Sequence, residues 1–264
     1  MKFKSIIYSL GLTLAAACAV QANAQKVELL GFTVGDRASQ IKARVNLQGK
    51  ELTDVTTYSY DMTNGASQTS TSYALVDGKY LAAAPKSIIN NTAMDALGHL
   101  FESYINTTAT DYSRMLVAAG LEIFQRSREV LEGSCEASYV DFKNLMNAST
   151  IAGMAISHTS TSIPHGLSYS LTYELGVPHG KAVGYFLSGY LKDARREDRD
   201  YVLNGAGFSS LSDFEEFYVK SCGVLAPEQS VIESGIEKLL LNRAKLKNCP
   251  YEVTEAVLKR IAMI

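Results

Sequence analysis

Thr92-Ala-Met-Asp95-Ala-Leu-Gly-His99-Leu-Phe-Glu102-Ser-Tyr104 decides how this chain folds. Ala93, Ala96, Leu97, Leu100, Phe101 and Tyr104 recur at helical spacing. At about 100° per residue they centre on one side of a helix, which Asn91 or Thr92 can cap. Asp95, His99 and Glu102 align on the other side. Asp95 and His99 therefore project together from successive turns, as two ligands of one metal must. Glu102, a turn further on, reads as orienting a neighbour or capping the polar stripe rather than as a base.

The helical pattern continues outward from this segment. Residues 111–131 read as one helix ended by Gly133, and further helices are expected at about 137–158, 165–175, 180–194, 211–221, 228–245 and 252–263. Gly176, with Pro178 beyond it, is a helix-ending glycine. The mixed-charge run Arg195-Arg-Glu-Asp-Arg-Asp200 reads as a solvated helix end or loop. Residues 25–80 read as a short β-rich segment instead. Ile41–Leu47 alternates apolar and polar side chains, Thr56–Tyr60 is strand-prone, and Gln48-Gly49-Lys50 and Asn64-Gly65 are turn signals. Gly65–Ser72 reads as a loop. The expected fold is mainly α, a helical bundle over residues 81–264 behind that β-rich segment.

Residues 1–24 have the layout of a secretory signal peptide. Lys2 and Lys4 precede the apolar run Ile6–Val20, and Ala22-Asn-Ala24 offers small residues for cleavage before Gln25. A buried N-terminal helix is the other reading, and lipid attachment at Cys18 a minor one. The remaining cysteines, Cys135, Cys222 and Cys249, are odd in number and widely spaced, unlike a disulfide framework. The leader points to export, whereas the cysteines do not suit an oxidising compartment and the candidate catalytic region suggests a cytoplasmic ancestry. A net charge of -2 on 264 residues gives no electrostatic reason to expect nucleic acid as a partner. Beyond the leader no apolar run is long enough to span a bilayer, so no membrane partner is expected either.

Two further histidines complete the pattern. His165 and His179 stand in Pro164-His165-Gly166 and Pro178-His179-Gly180, with one helix and a Gly-Val-Pro break between them. A helix that leaves one histidine and returns to a second helix at the other can bring both to a common point. A lone histidine is more often a packed or surface residue than a ligand. An Asp/His pair joined by two Pro-His-Gly stretches is harder to explain as packing. Asp95, His99, His165 and His179 thus form a candidate nitrogen/oxygen site for Fe(II) or Zn(II). His158, at an apolar helix end, reads as structural or as support for the site.

These residues resemble the iron-containing (group III) alcohol dehydrogenases. That family carries an Asp-x-x-x-His pair on a helix and, later, a His-Gly-x-x-(His/Tyr)…Pro-His-Gly run. Asp95…His99 and His165-Gly166…Pro178-His179-Gly180 match both. The likeness runs from about Tyr73-Ala-Leu-Val-Asp77 to near the C-terminus. It implies a dehydroquinate synthase-like fold, with an N-terminal dinucleotide domain and a C-terminal all-helical metal domain. It also implies Fe(II) or Zn(II) held by Asp95, His99, His165 and His179, with NAD(P) and a small-molecule alcohol or aldehyde as reactants. A homo-oligomer, or a separate nucleotide-binding partner, is implied as well.

The sequence departs from the family in two ways. Tyr169 stands where many members have a further histidine, a form that resembles a subgroup including sugar-acid oxidases; it is a candidate for proton handling, with simple packing as its rival. The family's Gly-Gly-Gly-Ser and Gly-Thr-Gly-Ser-Glu phosphate loops do not appear before residue 70, and no Gly-x-Gly-x-x-Gly replaces them. The expectation is a metal-dependent NAD(P) alcohol oxidoreductase that is truncated or incomplete. The rival expectation is a non-catalytic, exported or chimeric helical metal-binding protein derived from that family.

Overall fold

The structure is a computed structural model. It describes the backbone of residues 28–29, 32–33, 56–64 and 68–263, with side chains from Val76 to Met263. The leader at 1–24 and the expected strand at 41–47 lie outside the described residues.

Strands β1 (Glu28–Leu29) and β2 (Phe32–Thr33) pair antiparallel, as do β3 (Thr56–Asn64) and β4 (Gln68–Val76). The longer pair runs in register from Thr56 opposite Val76 to Asn64 opposite Gln68. Residues 68–72, expected in a loop, therefore belong to a strand. Their Thr/Ser run is polar but compatible with a pleated backbone.

Twelve helices follow among the described residues: α1 (Gly78–Ala82), α2 (Lys86–Tyr104), α3 (Asp111–Gln125), α4 (Arg128–Glu132), α5 (Tyr139–Thr159), α6 (Ile163–Leu175), α7 (His179–Asp193), α8 (Arg196–Gly205), α9 (Leu211–Cys222), α10 (Gln229–Leu240), α11 (Arg243–Leu246) and α12 (Glu255–Ile261).

Three boundaries differ from the sequence reading, each for a local reason. Helix α2 begins at Lys86 after Pro85, not at Asn91 or Thr92. Thr92 instead donates its hydroxyl back to the Ile88 carbonyl at 2.8 Å, a mid-helix role. The helix expected over 111–131 is two, because Ser127 leaves the helical path and its hydroxyl bonds the Asp141 carboxylate at 3.2 Å. The expected 228–245 helix also breaks, where Asn242 Oδ1 accepts from the Lys245 amide and caps α11. The charged run at 195–200 opens α8, whose apolar anchors Val202 and Leu203 come only in its second half.

Helix α2 is the axis of the bundle and packs on α3, α5, α7 and α9. Met94, Leu97, Leu100 and Phe101 on α2, with Val183, Phe186, Leu187 and Tyr190 on α7, are essentially inaccessible to solvent. Each such large side chain contributes roughly 1.5–3 kcal/mol by leaving water. The polar side of α2 is buried too. Asp95 and His99 are each 8% exposed and Glu102 0%. Ionisable groups in such a place need partners, and α6 and α7 supply them.

Candidate metal centre

Asp95 and His99 sit in the middle of α2, His165 in the first turn of α6 and His179 at the first position of α7. Both Pro-His-Gly stretches are thus helix starts. Proline fits there because its missing amide hydrogen would be unsatisfied in any case. Gly180 lets the start of α7 lie directly on the α2 backbone beside Asn91 and Asp95, which brings His179 to Asp95.

The three helices converge on one point. His165 Nε2 is 3.3 Å and His179 Nε2 3.5 Å from Asp95 Oδ1. One ligand atom each from Asp95, His165 and His179 lies within 4.8 Å of the others. His99 lines the same wall but falls outside that trio. Its Nε2 is 3.9 Å from Asp95 Oδ2, and its ring stacks on His165 with centroids 4.6 Å apart.

Buried charge governs the protonation of the cluster. Burial disfavours the ionised form of Asp95, yet the imidazoles of His99, His165 and His179 outweigh it and hold the carboxyl well below the usual range. Burial lowers His99 to about 4 and also lowers His179, Asp95 opposing in both, so these two rings are neutral near pH 7. His165 goes the other way. Burial would lower it, but the Glu102 and Asp95 carboxylates on either side raise it to about 9.

Two polar atoms remain without hydrogen-bond partners at the point of convergence: Asp95 Oδ1 and His165 Nε2, both fully buried. Buried polar atoms without partners are uncommon. A carboxylate oxygen and imidazole nitrogens are the donor set that Zn(II) and Fe(II) take. The residues present therefore fit such an ion.

A cleft of about 660 Å³ opens onto the cluster and is lined by all four residues together with Tyr169, His158, residues 159–161 and Asn248. Tyr169 is half-exposed, and its ring lies parallel to His179 at 5.8 Å. Burial, then the charges of Glu102 and Asp95, push its phenol pKa up. His158 is exposed at the cleft wall and meets the Tyr112 ring edge-on at 5.2 Å.

Three contributors to the site carried little signal in the sequence. Ser168, one turn after His165, donates its hydroxyl to the His165 carbonyl at 2.8 Å and lies 3.5 Å from His179 Nδ1. Lys245 reaches the Thr161 hydroxyl and stands 5.7 Å above the Tyr169 ring. Ser160, joining α5 to α6, has φ 62°, a conformation that costs a residue other than glycine about 1–3 kcal/mol. Only the i+3 spacing of Ser168 from His165 could have flagged one of them.

Fold and site together define a helical domain that presents a buried carboxylate–imidazole pocket at the foot of a cleft. Residues 89–202 match the family model for the C-terminal part of the Fe-containing alcohol dehydrogenase family. The chain is 31% identical to 1-propanol dehydrogenase PduQ of Citrobacter freundii over 128 residues, 48% of this chain and 34% of that protein. It is 29% identical to long-chain-alcohol dehydrogenase 1 of Geobacillus thermodenitrificans over 174 residues, 63% of this chain and 42% of that protein. Among solved structures, the iron-containing alcohol dehydrogenase of Thermotoga maritima superposes with a TM-score of 0.61 at 27% identity, covering 81% of this chain and 59% of that one. The helical body is therefore similar to the C-terminal part of the Fe-containing alcohol dehydrogenase family, with residues 89–202 carrying the match. The chain spans less than half the length of these curated relatives.

Proposed function

We propose that this chain supplies the metal-holding and substrate-orienting part of an oxidoreductase that interconverts an alcohol and an aldehyde or ketone with NAD(P). The observation that carries the reading is the convergence of the partnerless Asp95 Oδ1 and His165 Nε2 with His179 Nε2 at the foot of the cleft. Asp95, His165 and His179 would hold Fe(II) or Zn(II), with His99 as the fourth ligand. When bound, the metal supplies Lewis acidity toward an alcohol oxygen, and NAD(P) accepts or donates the hydride.

The chain's own residues shape that chemistry. Asp95 stays ionised because three imidazoles surround it. Neutral His99 and His179 offer lone pairs without first losing a proton. Tyr169 stands at the cleft with its ring parallel to His179, so it both orients that ring and offers a hydroxyl to a substrate. The relatives' names, 1-propanol dehydrogenase and long-chain-alcohol dehydrogenase, supply the substrate class, an alcohol.

Calorimetric titration of the purified chain with Zn(II), and with Fe(II) under anaerobic conditions, tests the reading. One ion per chain is expected, lost in Asp95→Ala and His165→Ala. NADH fluorescence in the same samples separates a chain that binds its nucleotide unaided from one that supplies the metal half alone. Absence of stoichiometric metal in the native chain would overturn the assignment.

A further inference from the structure

We infer that Glu102 is the positioning residue of this centre: it fixes the tautomer and the orientation of His165 from behind, and does so by capping the helix that carries His165. The inference rests on the metal-centre reading above and assigns a role to a residue that makes no contact with the cleft.

Glu102 is completely inaccessible to solvent, and it is not among the residues lining the cleft. It has no path to a substrate and no part in proton exchange with one. Both of its oxygens are nevertheless engaged. Oε2 meets His165 Nδ1. Oε1 accepts from the backbone amides of Ser162 at 2.9 Å and His165 at 3.3 Å.

Those two amides belong to the first turn of α6, where helices carry unsatisfied donors and partial positive charge. Ser162 occupies the N-cap position of α6 but makes no side-chain capping bond. A carboxylate from α2 does the capping in its place. The same group thus anchors the backbone of His165 through Oε1 and its ring through Oε2.

An ionised carboxylate only accepts hydrogen bonds, so Nδ1 must carry the proton. Two backbone amides donating to Oε1 favour the ionised carboxylate. With Nδ1 protonated, the lone pair of a neutral His165 resides on Nε2. That is the buried atom without a partner, 3.3 Å from Asp95 Oδ1. Carboxylates behind a ligating histidine raise its basicity and commonly contribute 10- to 100-fold in metal affinity.

A rival account makes Glu102 a helix tether alone. It predicts lost thermal stability with unchanged metal affinity and an unchanged His165 ring. The test is zinc affinity by chelator competition on the full chain and on Glu102→Ala and Glu102→Gln. Long-range ¹H–¹⁵N NMR of the zinc-loaded proteins reads the His165 tautomer, assigned by loss of its signals in His165→Gln.

The native chain is expected to show the proton on Nδ1. Glu102→Ala should weaken zinc by about 10- to 100-fold and let His165 populate both tautomers. Glu102→Gln keeps one acceptor oxygen and should fall between the two; it also carries the test if the alanine variant does not fold. Native zinc affinity and an unchanged His165 signal in Glu102→Gln would overturn the role of Glu102 while leaving the metal centre standing. A native chain that binds no zinc would overturn both.

Discussion

Gly180 and Asn91 meet so closely, where α7 starts against α2, that a Cβ built at Gly180 would stand 1.7 Å from the Asn91 carbonyl oxygen. The obstacle is backbone on a central helix, so it cannot swing aside. Gly180→Ala should destabilise the chain by about 1–3 kcal/mol, the usual cost of overpacking. It should also weaken zinc binding, because α7 would carry His179 away from Asp95. Urea midpoints and zinc titration of the variant check both effects, and a variant matching the native chain in both would refute the argument.

The Tyr169 ring is parallel to His179, with an interplanar angle of 3°. If orientation of His179 comes from the ring face, Tyr169→Phe should keep metal affinity within about twofold. Tyr169→Ala should weaken it by up to about tenfold, since such a pair contributes about 0.5–1.5 kcal/mol. Equal losses in the two variants would place the effect in the hydroxyl instead.

Arg128 gathers the α4–α9 corner. Its guanidinium bonds Glu132, Asp213 and the Gly207 carbonyl and lies 4.6 Å from the Phe208 ring centroid. Arg128→Met should cost about 1.5–3 kcal/mol, the range for hydrogen bonds to charged groups. The loss should appear as a lower urea midpoint with one zinc still bound per chain.

Acid should unfold the protein through three carboxylates away from the cluster. Arg128 is the largest cause holding Asp213 low; for Asp141 and Glu215 burial opposes, but bonds from Ser138 and Ser188 prevail. Their folded pKa values lie below the unfolded ones, near 4. The stability they add is thus fully present above about pH 5. It is lost as the pH falls through the depressed folded values. Urea midpoints between pH 7 and pH 3 should include a drop below pH 5, and Asp213→Asn should flatten part of that slope.

The sequence made the helical body and the cluster readable because both are periodic. Asp95 and His99 are one turn apart, and Pro-His-Gly marks two helix starts. What stayed hidden depends on contacts distant in sequence. Glu102 could be placed on the polar face of α2, but its partners Ser162 and His165 lie some sixty residues on. The break at Ser127 depends on Asp141, and the true start of α2 on Pro85 rather than on an Asn or Thr cap. Helix α8 was obscured because its first turn is all charge and its core contacts come later. The place of His99 was legible only as one turn from Asp95; its stacking on His165, with Nε2 3.9 Å from Asp95 Oδ2, depends on the distant α6.

The most direct test of the metal centre is anomalous diffraction at the zinc edge from crystals of the chain grown with Zn(II). A single strong peak per chain, within bonding distance of Asp95 Oδ1, His165 Nε2 and His179 Nε2, is the predicted result. Density that places zinc only at exposed carboxylates, with the Asp95 cluster empty, would contradict it.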